Sequence, residues 1–174
     1  ARALGVSSQR LRQMLQATMS GAPLADVRAG EETISINIPA GVSEGMQLSM
    51  SGKGNAAPRG GVPGDLIILV EETPHETLKR EGNNVVYDLH VSIPDAALGA
   101  SVEVPTIDGK AKIKIEPGTQ SGKLLRLKGK GIPSLNGYGN GDLLVHVNVW
   151  TPKTLNKEQK QFFENALNNE HFVP

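Results

Sequence analysis

One arithmetic relation restricts what this chain can fold into. The stretch from Ile36 to Gly54, followed at a fixed distance by Gly64-Asp65-Leu66, returns from Ile113 to Gly131, followed at the same distance by Gly141-Asp142-Leu143. Gly41, Gly45, Gly52, Gly54 and Gly64 each have a counterpart 77 residues on, at Gly118, Gly122, Gly129, Gly131 and Gly141. Lys53/Lys130 and Asp65/Asp142 share that offset, and a Thr-Pro follows each copy, at Thr73-Pro74 and Thr151-Pro152. Glycines held in register mark backbone that needs positive φ or a close approach, so the copies are expected to share turn geometry. Two copies of a unit this long are a duplicated small domain rather than a solenoid array.

Within each copy the apolar residues recur with the period of a strand. Ile34, Ile36 and Ile38 alternate with Ser35 and Asn37, and Met46, Leu48 and Met50 alternate with Gln47, Ser49 and Ser51. Both runs read as half-buried strands. Leu66 to Val70 is continuously apolar, which predicts a strand covered on both faces. In the second copy Val85, Tyr87, Leu89, Val91 and Ile93 oppose Asp88, His90 and Ser92. Residues 94–99 form a short link, turn-like or helical, and Asp108-Gly109 is a hairpin signal between Val102/Val104 and Ala111/Ile113/Ile115. The expected fold is mainly β: two tandem small β-sandwich or barrel-like domains related by the repeat, at 24–82 and 83–153, plus a C-terminal helix.

The ends depart from the repeat. Residues 1–23 form a leader in which Ser7/Ser8 would cap a helix carrying Leu11, Met14, Leu15 and Met19. Residues 7–32 do not resemble 84–109, so the first module is expected to lack a counterpart of that stretch. In the tail, 154–174, Asn156 and Gln159 have the spacing of a capping box. Phe162, Phe163, Ala166 and Leu167 then fall on one helical face. All three phenylalanines of the chain lie in this tail. A helix of about three turns needs such a face buried, either on its own second module or on another subunit.

Composition removes several functions. With no cysteine there is no disulfide, thiol nucleophile or cysteine-bound metal, and the four histidines show no ligand spacing. Formal net charge is zero and no apolar run reaches membrane-spanning length, so a soluble, cytoplasmic protein without cofactor is expected. The Gly-Lys-Gly pairs at 52–54 and 129–131 lack the spacing, the Lys-Ser/Thr and the following helix of a phosphate loop. Asp65 and Asp142 are repeat-equivalent, which argues for duplicated turn hydrogen bonds and against a shared catalytic carboxylate pair. Lys110, Lys112 and Lys114, with Lys123, Arg126, Lys128 and Lys130, make one basic region. A nucleic-acid-binding β module using 110–130 is therefore the alternative reading, although no aromatic platform accompanies the lysines. No set of residues reads as an enzyme active site.

The ordered set Ile38-Pro-Ala-Gly-Val42, Ser51-Gly-Lys-Gly54, Pro63-Gly-Asp-Leu66, Pro74-His75, Leu78-Lys-Arg-Glu-Gly-Asn83, Ala97-Leu-Gly-Ala100, Val104-Pro-Thr-Ile-Asp-Gly109, Gly129-Lys-Gly-Ile-Pro133 and Gly141-Asp-Leu-Leu144 resembles the C-terminal region of bacterial DnaJ, the J-protein co-chaperone. The resemblance implies two client-binding β domains and a dimerisation helix, here carrying Phe162, Phe163 and Leu167. It implies unfolded polypeptide clients, a DnaK-type ATPase chaperone as partner of the full-length family, and a homodimer. The chain holds neither the His-Pro-Asp of a J domain nor the cysteines of the family's zinc insertion, so it looks like a fragment starting just after that insertion, behind a leader at 1–23 unrelated to the family. A holdase needs apolar pockets beside a free sheet edge. Met46, Leu48 and Met50 supply one apolar strand face, and methionine adapts to many shapes. Leu78 stands where the family places a pocket-lining residue. The expected client groove is formed by these four.

Overall fold

The computed structural model describes residues 25–29, 32–55, 61–135 and 137–172. The leader helix expected at the N-terminus lies outside the described residues. Ten strands are described: β1 (Ala25–Ala29), β2 (Glu32–Ile36), β3 (Gln47–Met50), β4 (Leu66–Leu69), β5 (Leu78–Glu81), β6 (Asn84–Ser92), β7 (Ala100–Thr106), β8 (Gly109–Ile115), β9 (Lys123–Leu127) and β10 (Leu143–Trp150). Two α-helices, α1 (Ile93–Leu98) and α2 (Lys157–Ala166), and a 3-10 turn at Glu170–Phe172 accompany them. The mainly β expectation holds, and 94–99 resolves to a helix whose N-cap, Ser92, accepts from the Asp95 N–H.

The repeat persists down to the register of the ladders. β3 pairs with β4 antiparallel with Leu48 opposite Ile68, and β9 pairs with β10 with Leu125 opposite Val145, each partner displaced by the same offset. β1 and β2 pair with Ala25 opposite Ile36, and β7 and β8 with Val102 opposite Ile113, again by that offset. For 102–106 this corrects the expectation that the first module has no counterpart of 84–109: β1 is the counterpart of that part of β7, and the positions matching 84–101 lie outside the described residues. The relation escapes the sequence because Ala-Asp-Val-Arg-Ala and Val-Glu-Val-Pro-Thr share a backbone path and hardly any side chains.

The duplicated turns explain the conserved glycine spacing. Gly52 and Gly129 have φ of 69° and 71°, in the left-handed region where a side chain is strained. Each donates its N–H to the repeat-equivalent aspartate, Gly52 to Asp65 Oδ1 at 3.1 Å and Gly129 to Asp142 Oδ1 at 2.8 Å. Gly54 and Gly131 serve instead for close approach. Their N–H groups bond the carbonyls of Gly64 and Gly141 at 2.7 and 2.8 Å, and a Cβ on either would lie 2.5 Å from facing backbone.

The modules differ in how much they bury. The second has a four-stranded sheet, β5-β6-β10-β9, facing the β7–β8 hairpin. Val85, Leu89, Val91, Val104, Ile115, Ile132, Leu143, Val145 and Val147 close its core. Its middle pair, β6 and β10, runs parallel from Val85↔Leu143 to Ser92↔Trp150. Among the described residues of the first module, Ile34, Ile36 and Ile68 are the buried hydrophobic ones, with Ile38, Leu48, Met50 and Leu66 half-buried around them. β4 is therefore not covered on both faces as its apolar run predicted: Ile67 and Leu69 are 56% and 53% exposed. β6, the strand that covers the far edge of β10, has no described equivalent beside β4.

Candidate functional site

The turn ending at Gly45 launches β3 and is closed by Gly45 N–H donating to the Val70 carbonyl at 2.9 Å. The Val70 N–H returns to the Met46 carbonyl at 2.8 Å. Ladder bonds of an antiparallel pair recur at every second residue. The N–H groups of Leu48 and Met50 thus point toward β4, and those of Gln47 and Ser49 toward the other edge of β3. Among the described residues that edge has no partner strand, and the equivalent edge of β9 is likewise terminal in its sheet.

Of the four expected groove residues, the structure places Leu48 and Met50 in one cluster. Leu48 and Met50 lie on the inner face of β3 against Ile34, Ile36 and Ile68, half-buried and reachable from the open edge. Met46, also half-buried, opens toward a cleft of about 440 Å³ at the junction of the modules, lined as well by Ser43, Glu44, Glu72, Asn83 and Leu135. Leu78 is not part of this group. It lies on β5, which pairs with β6 in the second module, and is 5% exposed inside that module's core. The turn 81–84 is thus a hairpin within the second sheet, and the sheet boundary falls before Leu78 rather than after residue 82.

Other charged groups are accounted for locally. Lys110, Lys112 and Lys114 share one exposed face of β8, as alternation predicts, but Glu103 sits opposite Lys112 and within 3.8 Å of the Lys110 ammonium. Arg126 donates to Asp142, which also takes the Gly129 N–H; this hydrogen bond, then the guanidinium, holds the Asp142 carboxyl below its ordinary range. On the outer face of the second sheet Asp88 accepts from Lys79 at 2.8 Å and faces His146 Nδ1 at 3.4 Å. The Lys79 hydrogen bond lowers the Asp88 pKa. A residue not anticipated as important is Arg80, which makes four hydrogen bonds at the module junction. The available signal was a cation sharing a strand face with Leu78, at i and i+2.

In the tail, Asn156 and Gln159 form the expected capping box, with reciprocal bonds of 2.8 and 3.0 Å. No residue of α2 is buried. Phe162 stacks edge-on with Phe163 at 5.5 Å and with Phe172 at 6.5 Å, while Phe162 and Leu167 stay 59% and 73% exposed. Among the described residues, none of the helices is long and apolar enough to cross a membrane.

The class is a tandem β-module protein with duplicated turns, with strand edges of β3 and β9 that have no partner strand among the described residues, and with a C-terminal helix that leaves Phe162 exposed. The family model for the DnaJ C terminal domain matches residues 4–152, and the chain belongs to that family. The matched range takes in most of the stretch set apart above as a leader. The chain is 60% identical over 148 residues to the Chaperone protein DnaJ of Bacteroides fragilis, covering 85% of this chain and 38% of that protein. It is 59% identical over 145 residues to the protein of the same name from Bacteroides thetaiotaomicron, covering 83% and 37%. With that from Porphyromonas gingivalis it shares 57% over 148 residues, covering 85% and 39%. The chain thus spans less than two-fifths of the length of these relatives.

Proposed function

We propose that this chain is the client-binding and dimerising part of a non-enzymatic J-protein co-chaperone, and that it holds unfolded polypeptide by strand addition on the open edge of β3. The observation that carries this reading is that edge itself, where among the described residues no strand pairs with the Gln47 and Ser49 backbone beside half-buried Leu48 and Met50. A client strand laid there gains hydrogen bonds that any sequence can offer. Alternate client side chains reach Leu48, Met50 and, at the cleft, Met46, whose flexibility accommodates different shapes. Leu78, enclosed in the other core, takes no part. The bound client would pass to a DnaK-type ATPase chaperone, the partner that the resemblance to the J-protein family implies. α2 would join two copies through Phe162, Phe163 and Leu167. The nucleic-acid reading of 110–130 loses ground because Glu103 interrupts the lysine face.

The test is suppression of aggregation of a denatured model protein without ATP. Ser49→Pro removes one N–H from the open edge without touching the ladder to β4. Protection should fall severalfold in Ser49→Pro while the circular dichroism is retained, and it should change little with added salt, unlike phosphate binding. A folded Ser49→Pro chain that protects as well as the parent rules out this edge.

A further inference from the structure

We propose that Arg80 is the positioning residue that locks the two modules into one rigid arm. Its Nη1 donates to the Val42 carbonyl at 2.8 Å and to Glu72 Oε2 at 3.2 Å, and its Nη2 to the Gly41 carbonyl at 3.1 Å. Its Nε donates to the Gly82 carbonyl at 2.9 Å, within the hairpin that carries it. One guanidinium therefore ties three separate pieces of chain: the 41–42 turn of the first module, the connecting segment at Glu72, and the β5–β6 turn of the second module. Only a planar fork with five donors meets acceptors in that many directions, and lysine does not.

Two further contacts act at the same place. The Gly41 α-carbon rests on the Pro133 carbonyl of the second module so closely that any side chain there would collide with it. The Glu72 N–H donates to Glu44 Oε2, which draws the connecting segment onto the turn that launches β3. The Arg80 side chain is 15% exposed and Glu72 28%, so this ion pair is shielded from much of the screening that weakens surface pairs. Outside this junction the segment from 71 to 77 has no regular structure and is largely exposed. Without Arg80, the Gly41–Pro133 approach would be left to hold the modules across an irregular connecting segment. With it, the edge of β3 is presented at a fixed angle to the second sheet.

The proposal goes beyond the client reading, and its primary test needs no client. The chain has no cysteine, so Ser49→Cys on β3 and Ser101→Cys on β7 place one spin label in each module. Pulsed electron resonance should give a narrow distance distribution in the parent. Arg80→Met, which keeps the aliphatic stem and removes the donors, should broaden it and shift its mean. Arg80→Lys should fail to restore it, whereas Arg126→Met, which breaks a pair inside the second module, should leave it narrow. Proteolysis within 71–77 should quicken in Arg80→Met and Arg80→Lys alone. Trp150 fluorescence, reporting the second module, verifies that each variant is folded, and if Arg80→Met fails that check Arg80→Lys carries the test. An unchanged narrow distribution in a folded Arg80 variant, or equal broadening in Arg126→Met, overturns the proposal.

Discussion

Leu66 and Leu143 occupy the same position of the repeat, yet the structure gives them different surroundings, and paired alanine substitutions measure that difference. Leu143 is 0% exposed and enclosed by the second core, where rigid sheet neighbours leave little room to relax. Truncating a leucine in such a site costs about 2–5 kcal/mol, the lost transfer energy plus the cavity left behind. For a module this small, m in urea is about 1 kcal/mol/M, so the midpoint of the second module should fall by about 2 M or more. Leu66 is only half-buried beside three closed isoleucines, so both the transfer and the cavity contributions shrink. The cost in Leu66→Ala should be about half as large or less. The chain's single tryptophan, Trp150, ends β10 and reports the second module, whereas far-ultraviolet circular dichroism follows both. Leu143→Ala should move the fluorescence transition, and Leu66→Ala should move only part of the dichroism. Equal displacement of the fluorescence midpoint by both would show that the two cores unfold as one, contrary to their separation into two clusters.

Asp142 has a depressed pKa, so its contribution to stability is complete above the ordinary carboxylate value near 3.8 and is lost as pH falls through the lower folded value. Asp142→Asn should flatten, though not abolish, the decline of the Trp150 midpoint below about pH 4, because Asp88 is depressed too. Gly129→Ala meets no atom within 4 Å and should cost only the left-handed backbone strain, about 1–2 kcal/mol. Gly131→Ala must displace backbone 2.5 Å away and should destabilise the second module more, read in the same denaturation. Truncation before Asn156 should convert a concentration-dependent dimer into a monomer in sedimentation velocity; identical monomers for both chains would refute the assignment of the Phe162 face. The 174-residue chain, which contains no His-Pro-Asp, should leave the ATPase rate of a DnaK-type chaperone unchanged in a steady-state assay.

What was legible in the sequence was local. The glycine register, the period-two strands, the Asp-Gly hairpin and the Asn156/Gln159 box each depend on residues a few positions apart, and each appears as expected. Pairings made across the chain were not legible. Nothing in Leu78-Lys-Arg-Glu81 says whether the strand belongs with the residues before or after it, so the expected groove includes Leu78, which lies in the second module's core. The parallel partnership of β6 and β10 leaves no short-range signature, and the apolar run of β4 predicted cover that its module does not supply. Of the expected groove, Leu48 and Met50 share one face because a strand's own geometry aligns them. The positions of Met46 at the junction cleft and of Leu78 in the other core depended on topology.

That parallel pair sets a schedule for synthesis. β6 emerges from the ribosome with its hairpin partner β5 already made, but its other neighbour is encoded far downstream, Asn84 meeting Asp142 across 58 positions. At about 5–20 residues per second the nascent chain waits about 3–12 s between the two. During that interval Val85, Leu89 and Val91, later buried in the core, have no β10 beside them. A protein whose proposed task is to shield unfinished chains thus passes through the same exposed condition itself, and the closure of its second sheet is a late, long-range event.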